Sequence, residues 1–122
     1  MALQKVVSRT IDTPSWQGPT ATRGEYKAYV VHNASSATYT ALKAGGWRTT
    51  ETESTYDNLG LVLTVNDLGD TTTDADDRCV TTTYARNTAK WLVNLPSRQE
   101  AVAVACGTPP TFPAASRALR RR

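Results

Sequence analysis

Between Thr55 and Gly69 the chain spells out a reversal and a strand: Thr55-Tyr56-Asp57-Asn58-Leu59-Gly60, then Leu61-Val62-Leu63-Thr64-Val65-Asn66, then Asp67-Leu68-Gly69. Asp57 and Asn58 can hydrogen-bond their own backbone and Gly60 can take a positive φ, so the stretch reads as a turn that closes a β-hairpin. Period-two alternation after the turn puts Leu61, Leu63 and Val65 on one face, and Val62, Thr64 and Asn66 on the other. The first of these faces is built to be covered.

The remaining chain carries the same bias. Thr is abundant and, with Val and Tyr, supplies the β-branched and aromatic residues of strands, while helical periodicity is scarce, so the expected class is all-β. Strands are expected over residues 2–11 and 23–32, with a loop over 12–19 and a turn over 33–36. Residues 37–43 fit either a strand or a short helical turn, ended by Gly45-Gly46. A long strand from Trp47 to Tyr56 follows; its two aromatics fall on opposite faces, which implies a bulge or a covered second face. After an acidic loop over 70–77, a strand is expected from Cys79 to Tyr84 and a single helical turn carrying Trp91 within Asn87 to Asn94. A final strand is expected from Pro96 through Cys106, with Val102, Val104 and Cys106 alternating with small alanines. Thr38-Tyr39, Thr55-Tyr56 and Thr83-Tyr84 form a weak internal repeat, which points to strung hairpins rather than a closed globule.

Charge narrows the function classes. The chain has 122 residues and a formal charge of +3, but Arg117, Arg120, Arg121 and Arg122 supply four of its fourteen cations. Without that cluster the body is near neutral, so no nucleic-acid face is expected there. Residues 1–113 are read as the β region and 114–122 as a disordered basic tail. No stretch of eighteen apolar residues occurs, and Met1 to Lys5 shows neither the basic nor the apolar segment of a signal peptide, so neither a membrane span nor a leader is expected.

Candidate chemistry is sparse. Asp67, Asp70, Asp74, Asp76 and Asp77 could surround Ca²⁺, but an EF-hand count from Asp74 puts Cys79 at the glycine position and Ala85 at the glutamate position, so solvated turns are expected. His32 is the only histidine, and neither Cys79 nor any serine sits in a nucleophile signature; no enzyme, metal or cofactor is expected. Trp16, Trp47 and Trp91 are read mainly as packing area, with Trp47 and Trp91 as an alternative sugar-binding or partner-binding platform. Cys79 and Cys106 fit either a disulfide, if their strands pair, or two buried thiols.

The order Tyr56-Asp57, Gly60, Leu61 to Asn66, Asp67, Gly69 and, after a Thr-rich strand, Tyr84 resembles the YD repeat of the RHS family. Gly45-Gly46-Trp47-Arg48, Asp76-Asp77-Arg78-Cys79, Leu95-Pro96-Ser97-Arg98 and Val102 to Cys106 resemble the flanks of such repeats in large actinobacterial members. Leu61, Leu68 and Ala85 depart from the pattern, and Thr73 to Arg78 looks like an inserted loop. The segment Ser116 to Arg122 does not resemble a continuing repeat. The resemblance implies an open, curved sheet of antiparallel hairpins, part of a secreted or cell-surface shell wall that encloses a C-terminal toxin or other effector. It makes Tyr56, Asp57, Gly60, Asp67, Gly69 and Tyr84 structural, and the partners adjacent repeats and the effector. Open edges would then allow edge-to-edge self-association.

Overall fold

The computed structural model describes residues 5–111. Six strands, β1 (Ser8–Arg23), β2 (Tyr26–Ala41), β3 (Trp47–Tyr56), β4 (Val62–Asp70), β5 (Arg78–Asn87) and β6 (Leu92–Val102), form one antiparallel sheet in chain order. The architecture is all-β and open: β1 and β6 are its edges among the described residues, and the chain runs as three successive hairpins, β1–β2, β3–β4 and β5–β6. Proline respects this layout. Pro14 and Pro19 lie in β1 and Pro96 in β6, whereas β2 to β5 contain none, because proline cannot donate to a ladder on both sides.

Several boundaries differ from the sequence reading. Residues 12–19, expected as a loop, belong to the long β1, and residues 33–36, expected as a turn, continue β2. The polar residues that mimic a turn are cross-strand partners instead: the Asp12 carboxylate accepts from the Ser36 hydroxyl at 2.6 Å and from Asn33 Nδ2 at 3.2 Å. The expected strand over 23–32 contains a hairpin turn at Gly24-Glu25. Residues 37–41 are strand. The helical turn expected near Trp91 is the short 3₁₀ turn Thr88–Lys90, and β6 begins at Leu92 and stops at Val102 rather than running from Pro96 to Cys106. The expected disordered tail lies outside the described residues, and so do residues 2–4 of the first expected strand.

Bulges overturn the expected face of β4. Leu63 and Leu68 have no partner in the β3–β4 register, so alternation slips at each of them. Val62 and Val65 therefore share a face with Tyr56. The opposite face carries the Thr55 and Thr64 hydroxyls, 2.6 Å apart, and Asn66, whose Nδ2 donates to Glu53 Oε2 at 2.8 Å. Leu63 is exposed.

The sheet is a single layer, and its burial is correspondingly slight. Cys79, 6% exposed, is the only buried hydrophobic residue among those described. Trp16 and Trp91 are 70% and 78% exposed, and Trp47 is 44% exposed, which corrects the packing role expected of the tryptophans: the described residues form no second layer to pack against. No helix among the described residues is long and apolar enough to cross a membrane.

One covalent tie fastens the segment after β6 to β5. Cys79, opposite Val102 in the β5–β6 ladder, is bonded to Cys106 with S–S 2.00 Å. The chain leaves β6 at Val102 and turns back over this face, where the Cys106 amide donates to Asn66 Oδ1 at 2.8 Å. Glu53, Asn66 and Cys106 thereby link β3, β4 and the segment after β6. With the cysteines 27 positions apart, loop closure predicts a loss of about 3 to 4 kcal/mol on replacing both by serine, measured by urea unfolding with m fitted for each protein, since the unlinked unfolded chain exposes more surface.

Candidate functional site

The three hairpins share one irregularity at one place. In β1–β2, Thr13 faces Ser35 and Pro14 faces Asn33, leaving Ala34 unpaired. In β3–β4, Thr55 faces Thr64 and Tyr56 faces Val62, leaving Leu63 unpaired. In β5–β6, Thr83 faces Arg98 and Tyr84 faces Pro96, leaving Ser97 unpaired. The structural repeat is thus Thr13-Pro14, Thr55-Tyr56 and Thr83-Tyr84. Thr38-Tyr39, the first copy in the sequence reading, lies within β2 and is not equivalent to the other two.

The junctions between hairpins repeat as well. The β2–β3 ladder ends at Ser35 opposite Glu53, and three residues past Glu53 the Tyr56 hydroxyl donates to the Asn33 carbonyl at 2.8 Å. The β4–β5 ladder ends at Thr64 opposite Thr81, and three residues past Thr81 the Tyr84 hydroxyl donates to the Val62 carbonyl at 2.7 Å. Each tyrosine therefore bridges the gap where two hairpins part, and its acceptor is the carbonyl beside the neighbouring hairpin's bulge. The bond satisfies a backbone acceptor that the ladder no longer reaches.

Asp57 and Gly60 build the turn beside this junction. Asp57 Oδ1 accepts from the amides of Leu59 at 2.8 Å and Leu61 at 2.9 Å, and Gly60 takes φ +79°. A Cβ on Gly60 would lie 3.1 Å from Val30 of β2, so the turn is seated on the preceding hairpin. The other Asp57 oxygen pairs with the Arg86 guanidinium of the following hairpin, and Asp57 is only 9% exposed. Arg86 also covers the Tyr84 ring at 5.3 Å. One carboxylate thus holds its own turn and the next hairpin.

At the far end of β4, Asp67 Oδ1 accepts from Gly69 N at 3.1 Å and its other oxygen meets Arg78 at 3.3 Å. Gly69 has φ +47°, and a Cβ there would lie 2.3 Å from Asp76 Oδ2, which accepts the Asp70 amide at 2.9 Å. The acidic segment between β4 and β5 is folded onto β4 by these bonds. No group of metal-ligating side chains occurs among the described residues.

The remaining candidates do not assemble a reactive centre. His32 stacks on Tyr56, with centroids 3.8 Å apart, and its Nδ1 meets the Ser15 hydroxyl at 2.8 Å. Its Nε2 has no hydrogen-bond partner, so no carboxylate completes the pair. Trp47 opens β3 at one end of the sheet and Trp91 follows β5 at the other, so the two do not converge on one platform. The sequence reading missed the cluster of Trp16, Tyr29 and Val31, exposed together on the β1–β2 hairpin, although the alternation of Tyr29 with Val31 carries its signal.

No protein-family model, curated protein or solved structure matches the chain.

Two measurements check this geometry. Tyr56→Phe and Tyr84→Phe, which keep the rings and delete the hydroxyls, should each cost about 1 kcal/mol in urea unfolding, whereas Tyr39→Phe should stay within about 0.5 kcal/mol. The second uses the acids. Hydrogen bonds from Thr72 hold the Asp70 carboxyl below its usual value, so its stabilisation is present above the unfolded pKa and lost as pH falls through the folded one. Desolvation, then the negative Asp74, Asp76 and Asp67, raise Asp77, so its ionised form opposes folding above the carboxylate range. Melting temperature at neutral pH should therefore rise in Asp77→Asn and fall in Asp70→Asn.

Proposed function

We propose that this chain is a non-catalytic structural segment of a β-hairpin-repeat wall, of the kind its YD-like motif resembles, which in a longer parent protein encloses or presents an effector. The observation that carries the proposal is the recurrence of one bulge in three hairpins and of one tyrosine bridge at both junctions between them. A repeated joint of this kind serves to add like units, and each unit is too thin to bury its own side chains. The residues of the motif, Tyr56, Asp57, Gly60, Asp67, Gly69 and Tyr84, all act on backbone, turns or neighbouring hairpins. The secreted or cell-surface setting belongs to the same proposal, and a disulfide accords with an oxidising compartment.

The exposed Trp16, Tyr29 and Val31 favour a second reading, a surface module that binds a carbohydrate or protein partner. Sedimentation across a range of protein concentrations and a glycan array separate the two. The wall segment should associate through its edges as concentration rises and should leave the array empty. A strictly monomeric chain that binds a glycan saturably, with loss in Trp16→Ala, would replace the wall by the module.

A further inference from the structure

The two tyrosine bridges follow one register, and that register has a third position with nothing on it. In β2 the accepting carbonyl belongs to Asn33, the residue before the bulge residue Ala34; in β4 it belongs to Val62, before the bulge residue Leu63. In β6 the corresponding residue is Pro96, before the bulge residue Ser97, and β6 is the open edge among the described residues. Pro96 has no amide hydrogen, so a carbonyl is all its backbone can offer a neighbour.

Resting on the wall reading, we infer that the outer edge of β6 is a docking site for one more antiparallel strand bearing a Thr-Tyr pair, whose phenolic hydroxyl donates to the Pro96 carbonyl. The strand would pair up to a residue three positions before its tyrosine, facing Arg98 two positions past Pro96, as Glu53 faces Ser35 and Thr81 faces Thr64. Residues 103–122 hold no tyrosine for that position, since all five lie between Tyr26 and Tyr84. A second copy offering β1 would pair by backbone alone and could not make this bond, since Pro14 occupies the tyrosine position of its hairpin and carries no hydroxyl. The occupant is a further hairpin of the same type as β3–β4.

The probe is a synthetic peptide of residues 47–70, which contains Thr55-Tyr56 and no cysteine, together with its Tyr56→Phe counterpart. Each is titrated into the full-length protein, and hydrogen exchange reports which strand is protected. The expected result is slowed exchange over Leu92–Val102 and binding about 2- to 10-fold tighter for the tyrosine peptide than for the phenylalanine one. Protection of β6 with equal affinities overturns the tyrosine register and leaves the wall reading in place. Protection at β1 alone, or no binding by either peptide, overturns the docking site; if the protein still self-associates, the wall reading survives that failure, and if it stays monomeric both fall.

Discussion

The structure depends on backbone hydrogen bonding between neighbours far more than on burial. A six-stranded single layer gives each inner strand two partners and gives its side chains almost no interior; among the described residues one half-cystine alone is buried. In such a sheet a strand is stable only as its neighbours are, and the ties that cross from one hairpin to another matter most. Here they include the tyrosine bridges, the Asp57–Arg86 and Asp67–Arg78 pairs and the Cys106–Asn66 bond, while the disulfide holds the segment after β6 to β5. They are polar or covalent, which suits a layer whose two faces are both wet.

Local chemistry made the turns legible. Asp57 and Gly60 are readable from their side-chain and φ requirements alone, and Gly45-Gly46 breaks the chain where the β2–β3 turn falls. The long first hairpin was hidden because Asp12, Asn33 and Ser36 have turn-like composition, yet answer one another across strands in a contact no local window contains. Alternation failed in β4 for a related reason. A bulge inserts one residue and reverses every face assignment beyond it; Gly69, with its positive φ, marks the insertion at Leu68, but the sequence around Leu63 carries no such mark.

The Thr-Tyr repeat was visible, but its true first copy was disguised. Thr13-Pro14 lacks the aromatic ring, and what makes it equivalent is the register of its hairpin rather than its composition. Proline is tolerated there because β1 is an edge, so the same topological fact explains the substitution and conceals the repeat. The role of Tyr84 was likewise out of reach: a hydroxyl bonded to a carbonyl 22 residues earlier belongs to the arrangement of hairpins, not to either strand.

The position of the bulges also sets a slope. Ser35 is level with both Thr13 and Glu53, yet the bulge follows Thr13 in the first hairpin and Thr55, two residues beyond Glu53, in the second. The third hairpin takes the same step, since Thr64 is level with Thr55 and Thr81 while the bulge follows Thr83. A shift of two residues is about 6.6 Å along the strands for about 9.6 Å across two of them. That proportion, one residue per strand, is the shear that slants the strands of an eight-stranded barrel by about 36°. Hairpins joined by this rule climb obliquely as they accumulate, so the direction in which such a sheet grows is written into each unit by where its extra residue falls.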